Sequence, residues 1–185
     1  MDRYYADTEA ADAWMKTWIA AAATRETGDA APDGAMYLGR FADAMYFLTQ
    51  PIGWQPNAGQ AGGHSPVRVP TGFVTDFASV PRIFWTWLPP DGLYAYAAVI
   101  HDYLYWEQSL SRSESDEILK LCMEDFQINT LVVAAIYRGV RLGGQSAWDQ
   151  NARLKKKGEK RMLKTFPSDP TVRWGDWKIR GVFIN

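Results

Sequence analysis

The chain has 185 residues, and its 20 Lys and Arg nearly balance its 21 Asp and Glu, so no global excess of positive charge favours nucleic acid. Its single cysteine excludes an internal disulfide framework and any zinc or iron–sulfur site that needs several cysteines. The nine tryptophans indicate either a large core or a surface that contacts other subunits. No stretch reaches the roughly 18 unbroken apolar residues that span a bilayer, and the N-terminus has no signal-peptide pattern. We therefore expect a soluble protein without membrane contact, made in a reducing cytoplasm.

The segment from residue 7 to about residue 25 has the pattern of an amphipathic helix. An apolar stripe recurs there at three- to four-residue spacing and comprises Ala10, Trp14, Trp18 and Ala21. Residues 1–35 are therefore predicted to form a helical arm whose tryptophans contact partner proteins. The alternative is that the stripe packs on its own domain, as most such helices do.

Residues 37 to 75 alternate short strand-like segments with turns that are rich in glycine and proline. The clearest candidate strands are 45–48, 67–69 and 73–74, and a glycine-rich loop is expected at 55–65. This part of the chain predicts a small antiparallel sheet or a β-ribbon.

Helical patterns follow the strands, at 79–88, 93–106, 111–126 and 130–142. Ser111 and Glu114 have the spacing of a capping box, which opens the third of these helices. The first turn of the fourth helix, which contains Leu131, is apolar on all sides, and this pattern predicts burial. The Gly143–Gly144 pair is expected to end that helix, and a further helix is expected over 146–157.

The tail changes character, because its tryptophans lie among charges and glycines in a pattern that is more extended than helical. Taken together, the elements predict an α+β fold, with the small sheet or ribbon followed by a compact bundle of three or four helices. The predicted units are an N-terminal helical arm at 1–35, an α+β core at 36–145, and a basic helix with an aromatic tail at 146–185. Both terminal units are expected to extend outward.

Three motifs in the core occur in a specific order. Residues 69–82 read VPTGFVTDFASVPR, residues 101–105 read HDYLY, and residues 111–116 read SRSESD. In these segments the chain resembles a family of small phage and prophage proteins of unknown function, whose shared pattern is VPxGFxTDFASVPR, an HDYLY-type segment and SRxExD at the start of a helix. The resemblance covers roughly residues 40 to 145. It implies a phage or prophage origin, and it implies no particular activity.

The polar residues of these motifs allow a metal site. Adjacent His101 and Asp102 resemble the ligand pair of HD phosphohydrolases, and Asp76 and Asp116 could add carboxylates. One histidine with three carboxylates suits Mg²⁺, Mn²⁺ or iron better than structural zinc. His64 is a candidate for a further histidine ligand, although it lies in a glycine-rich loop. On this hypothesis the four residues serve a divalent cation in a catalytic site.

A structural role for the same residues is the favoured interpretation. His101 would be a buried histidine that hydrogen-bonds Asp76 or Asp116, with Arg112 and Arg82 available as ion-pair partners. Such a network would fix how the helices pack, and no cofactor would be needed.

A basic run lies between residues 153 and 164, where seven Lys and Arg face one Glu. Lys155, Lys156 and Lys157 form its centre and could bind an acidic neighbour or remain solvated. Phosphate contacts to nucleic acid are a less favoured role, since no aromatic residue is interleaved with these lysines.

The leading expectation for function is a non-enzymatic virion component, located at the head–tail connector, the tail or the capsid surface. Its partners would be other virion proteins or copies of itself, contacted through Trp14, Trp18, Trp174, Trp177 and the three lysines at 155–157. The alternatives are a metal-dependent hydrolase that uses Asp76, His101, Asp102 and Asp116, and a host-takeover or counter-defence protein that acts by binding.

Overall fold

The computed structural model describes residues 35–57, 59–60, 63–77 and 94–184. Within these ranges the fold is α+β, with short antiparallel strands followed by helices, as the sequence predicts. The predicted arm with Trp14 and Trp18, the predicted helix at 79–88 and Arg82 lie outside the described residues. None of the described helices has the length and apolar character needed to cross a bilayer.

The strands form two small antiparallel sheets. They are β1 (Leu38–Arg40), β2 (Tyr46–Leu48), β3 (Ile52–Trp54), β4 (Val67–Val69) and β5 (Val74–Thr75). One sheet has the order β1–β2–β5, with Phe47 opposite Val74, and the other pairs β3 with β4. In β4 the side chains of Val67 and Val69 are buried while Arg68 between them is exposed, which is the two-residue periodicity of a half-buried strand.

The helices are α1 (Tyr94–Glu107), α2 (Arg112–Asp125), α3 (Thr130–Lys156) and the single turn α4 (Trp174–Trp177). Helix α1 is buried on nearly every side because it packs against the strands and against α2 and α3. Ile100, Ile118 and Ile136, one from each of the first three helices, are fully buried in the main core. The predicted capping box is confirmed: Ser111 Oγ accepts from the backbone N–H of Glu114, and Glu114 Oε2 accepts from the backbone N–H of Ser111 at 2.9 Å.

The prediction that Gly143–Gly144 ends a helix is wrong, since α3 runs through both glycines and is 27 residues long in all. The separate helix predicted over 146–157 is the second half of α3, and the predicted unit boundary at 145/146 falls inside it. Packing explains why residue 144 is a glycine, because an added Cβ there would lie 2.4 Å from Tyr105 Oη. The glycine therefore permits close contact between α3 and α1 and does not act as a helix stop.

The predicted burial of the first turn of α3 is also wrong. Val133 is buried, but Leu131 is 79% exposed. The helix lies on the surface of the core, so only one side of its first turn contacts other residues.

The predicted outward extension of the tail is wrong as well, because the tail packs on the three-stranded sheet. A second core combines Phe41, Phe47, Val74, Leu163, Trp174 and Val182. Trp174 is only 7% exposed, and its ring centroid lies 5.5 Å from that of Phe41. Its own chain therefore covers most of the Trp174 ring, and the role of Trp174 as a partner contact stays a prediction.

The other predicted partner contacts keep part of their surface. Trp177 is half-buried and donates from Nε1 to the carbonyl of Thr165 at 3.2 Å. Lys155, Lys156 and Lys157 are exposed at the end of α3. Their role in binding a partner stays a prediction.

Gly72 allows the tail to approach the sheet. Its φ of +89° favours glycine, and an added Cβ would lie 2.1 Å from the carbonyl oxygen of Leu163. The backbone N–H of Leu163 donates to the carbonyl of Gly72 at 2.9 Å. This contact holds the segment after α3 beside β5, and therefore beside the start of the family-like motif.

Candidate active site

A cavity of about 340 Å³ lies between α1, α3, the end of β5 and the segment that follows α3. Its walls combine acidic, basic, amide and small residues, which are Asp76, His101, Asp102, Tyr105, Gly139, Val140, Gly143, Gly144, Ala147, Gln150, Asn151 and Arg161. The size and the convergence of polar groups are typical of a small-molecule site. Three glycines of α3, Gly139, Gly143 and Gly144, contribute no side chains to the wall and so leave room there.

The buried carboxylate of Asp116 fixes the position of the His101 ring. Its Nε2 lies 2.9 Å from Asp116 Oδ1, and the two side chains are 1% and 0% exposed. Because a carboxylate can only accept, Nε2 carries the hydrogen of the neutral ring, and Nδ1 is the basic nitrogen. The pair joins α1 to α2.

Asp116 accepts from three further donors. Tyr105 Oη donates to Oδ1 at 2.6 Å, and Oδ2 accepts from Arg112 Nη1 at 3.1 Å and from Arg141 Nη1 at 2.8 Å. Both carboxylate oxygens are thereby used, and two guanidinium groups compensate the buried charge. The network links α1, α2 and α3, as the structural interpretation of His101, Asp116 and Arg112 predicts.

The pKa values of this pair follow from burial and hydrogen bonding. Burial lowers the pKa of His101 below its ordinary value of 6.5, and the opposing hydrogen bond with Asp116 does not offset this. Burial alone would raise the pKa of the Asp116 carboxyl, but the bonds from His101, Tyr105 and Arg141 outweigh burial and lower it. Near pH 7 the ring is therefore neutral beside an ionised carboxylate, which is the charge state of a histidine base with its orienting acid.

Asp102 is positioned by the last residue of β5. Thr75 Oγ1 donates to Asp102 Oδ2 at 2.5 Å and accepts from the backbone N–H of Phe77 at 3.1 Å. Phe77 has a φ of 55°, which is uncommon for a bulky residue. Strained backbone of this kind clusters at functional sites, and here it brings Asp76, between Thr75 and Phe77, into the cavity wall.

The structure brings three of the four predicted site residues together. Asp76, His101 and Asp102 line the cavity, whereas Asp116 lies behind His101 and is enclosed by its donors. Among the described residues, no three His, Cys, Asp or Glu side chains are placed to hold a metal ion together. His64 does not line the cavity, and its Nε2 lies 3.7 Å from Glu117. The four residues thus do not form the common ligand set of the metal hypothesis.

Sequence reasoning missed several residues of the cavity. From the sequence, Arg161 is one charge of the basic run and Asn151 is one residue of the helix predicted over 146–157, yet both line the cavity. Asn151 Nδ2 donates to the carbonyl of Tyr105 at 3.2 Å, and the guanidinium of Arg161 lies 4.7 Å from the ring centroid of Trp106. Neither position carries a local motif, since the cavity forms only when α3 and the following segment pack on α1.

Comparison with known proteins agrees with the resemblance to a family of unknown function. No match is found among curated proteins or among solved structures. A family model described as "Protein of unknown function (DUF1353)" matches residues 57–140, a little under half of the chain. The matched region contains Asp76, His101, Asp102 and Asp116 but ends before Arg161. Over residues 57–140, the chain is therefore similar to DUF1353, a family whose description assigns no function.

Proposed function

We propose that the cavity is the active site of a hydrolase in which His101 is the general base. One observation carries the proposal: His101 lines a cavity together with Asp76 and Asp102, and its Nε2 is bonded to the buried carboxylate of Asp116. A histidine whose tautomer is fixed by a buried acid is the arrangement used for proton transfer in many hydrolases.

The proton path follows from the charge states. Neutral His101 takes a proton from a water molecule in the cavity, and the water oxygen forms a bond to a carbonyl or phosphoryl centre of the substrate. The imidazolium that forms is stabilised by ionised Asp116, 2.9 Å from Nε2. The bond to the leaving group then breaks, and the leaving group takes the proton back from His101, so the base is restored.

The remaining polar groups would bind and orient the substrate. Carboxylates such as Asp76 and Asp102 accept hydrogen bonds from hydroxyl or amide groups, and Gln150 adds an amide to the same wall. Tyr105 is a positioning residue. Burial and its bond to Asp116 raise the pKa of its hydroxyl, which therefore remains a donor that holds the carboxylate in place.

The test is a hydrolysis screen of the full chain against esters, amides, phosphomonoesters, phosphodiesters, nucleotides and cell-wall fragments. His101→Gln should lower kcat on any hydrolysed compound by roughly 10²–10⁴-fold, the usual contribution of a general base. His64→Gln is the matched control because His64 does not line the cavity and should retain activity. Lack of turnover by the wild type across the panel, or equal turnover by both variants, would refute the proposal.

Chelation separates the metal-dependent alternative. We expect activity to persist in EDTA, because both oxygens of Asp116 already accept hydrogen bonds and do not serve as metal ligands. Loss of activity in EDTA that Mg²⁺ or Mn²⁺ restores would instead support a divalent cation bound at Asp76 and Asp102.

A virion component remains the second candidate, and one observation favours it. Leu131 and Leu142 are 79% and 88% exposed and lie eleven residues apart on α3, which places them about 20° apart around the helix. Exposed leucines that share a helix face are typical of a surface that contacts another protein. The partners would be other virion proteins or copies of this chain.

Mass spectrometry of purified phage particles tests this second candidate. The protein should be present, and Leu142→Glu should reduce its incorporation while leaving the fold intact. Ser146→Glu, which places the same charge at another exposed position of α3, is the control. Absence of the wild-type protein from intact particles would refute a virion role.

A further inference from the structure

Arg161 occupies a fixed position in the cavity wall. Its carbonyl accepts from the backbone N–H of Val74 at 2.9 Å, so the residue is anchored beside β5, near Asp76. The side chain is 13% exposed, and the guanidinium lies over the ring of Trp106 at 4.7 Å from the centroid. A ring beneath a planar guanidinium limits its orientation and leaves its edge for hydrogen bonding.

The guanidinium of Arg161 is poorly satisfied for such a buried group. Its Nε is buried and has no hydrogen-bond partner in the part of the chain that the structure describes. The nearest carboxylate oxygen, Glu159 Oε1, is 3.8 Å from Nε, and the other oxygen of Glu159 pairs with Lys178 at 3.1 Å. A buried arginine donor without an acceptor is costly, and in a cavity wall it indicates a ligand that supplies the acceptor.

The surrounding charges indicate the sign and the shape of that ligand. Lys155 Nζ lies 5.7 Å from the centroid of the same Trp106 ring and 3.8 Å from Glu107 Oε2, so two cations contact this ring and Arg161 is the one that lines the cavity. Asp76 and Asp102 also line the cavity and would repel an anion. The arrangement fits a ligand that is anionic at one end and neutral or polar along the rest.

We propose that Arg161 binds an oxyanion of the ligand, a carboxylate or a phosphate, through its planar edge. This ligand is the substrate only if the hydrolase proposal holds, whereas the oxyanion site requires only Arg161 and Trp106. Carboxylate and phosphate share the acceptor geometry that matches a guanidinium fork, and the experiment separates them.

The experiment records the arginine Nε–H signals of the full chain by ¹H–¹⁵N NMR during titration with inorganic phosphate and, separately, with acetate, at constant ionic strength. The Arg161 signal, assigned by its loss in Arg161→Lys, should shift saturably with at least one of the two anions, and the tighter one names the class. Arg180 is the matched control because its guanidinium lies 5.2 Å from the ring of Trp177, outside the cavity. The Arg180 signal should show no saturable shift with either anion.

Affinity measured by calorimetry adds a second readout. Arg161→Lys should weaken binding roughly 10-fold, because an ammonium lacks the planar fork. The proposal is overturned if neither anion shifts the Arg161 signal saturably, or if Arg161 and Arg180 respond alike.

The two proposals fail separately. His101→Gln should abolish turnover and leave the titration of Arg161 unchanged, since His101 is not part of the oxyanion site. Anion binding without any hydrolysis would refute only the hydrolase. Hydrolysis that depends on His101, with no saturable shift at Arg161, would refute only the oxyanion site.

Discussion

Replacing Asp116 by Asn tests the buried network most directly, because the change keeps the shape and removes the charge. The wild-type carboxylate accepts from His101, Tyr105, Arg112 and Arg141 at 2.6–3.1 Å. In the variant an amide NH₂ group, which donates, replaces one carboxylate oxygen, so at least one of these donors loses its acceptor.

The magnitude follows from the exposure of the donors. Breaking a buried ion pair by removing one partner costs about 3–5 kcal/mol. The side chains of Arg112 and Arg141 are 19% and 34% exposed and can recover part of their hydration, so the lower end of that range applies. We expect the free energy of unfolding to fall by about 3 kcal/mol, and Tm to fall by about 6–12 °C for a domain of this size.

Urea unfolding monitored by far-UV circular dichroism measures this change, with a double-mutant cycle against Tyr105→Phe. The two substitutions should couple by about 1 kcal/mol or more, because they share one hydrogen bond. Asp149→Asn is the control, since Asp149 is exposed and should change stability by less than about 0.5 kcal/mol. An Asp116→Asn variant within 1 kcal/mol of the wild type would contradict the proposed energetics of the network.

Two further predictions concern His101 and the glycines of α3. The folded state holds the pKa of His101 below the ordinary 6.5, so the unfolded state binds more protons at mildly acidic pH. The contribution of His101 to the free energy of unfolding should therefore be fully present above about pH 6.5. It should decrease below that pH by at most about 1.4 kcal/mol per pH unit. Urea titrations from pH 7.5 to 5.5 should show this slope in the wild type and in His64→Gln but not in His101→Gln. Gly144→Ala should destabilise by about 1–3 kcal/mol, because its Cβ would meet the hydroxyl of buried Tyr105, whereas Gly143→Ala meets open space and should be neutral or stabilise by up to about 1 kcal/mol. Thermal melts of the two variants compare them directly, and equal Tm values would show that α3 does not pack closely at Gly144.

The features that the sequence predicted well depend on nearby residues. The Ser111–Glu114 capping box needs only a spacing of three, and both of its hydrogen bonds are present. The link from His101 to Asp116 spans two neighbouring helices and could be anticipated from the shortage of buried partners for a histidine in an apolar helix. Both inferences use a chemical requirement that must be met close to where it arises.

The predictions that failed depended on contacts between distant segments. Glycines favour the end of a helix by local propensity, worth about 1 kcal/mol each, and packing against Tyr105 overrides that preference at Gly144. The tail resembled an exposed extension because its apolar residues are spaced irregularly. Its partners, such as Phe41 and Phe47, lie more than a hundred residues earlier, so no window of sequence around Trp174 contains them.

The cavity itself shows why one motif could not define the whole site. The region similar to the family supplies His101, which transfers the proton in the proposed reaction, and Asp116, the acid that orients it. Arg161 comes from beyond that region and reaches the cavity only because Gly72 admits the tail beside β5. If both proposals hold, proton transfer and recognition of the ligand's charge reside in separate segments of the chain. A change near residue 161 could then alter which oxyanion binds without disturbing the His101–Asp116 pair, because no contact between Arg161 and that pair is required for either function.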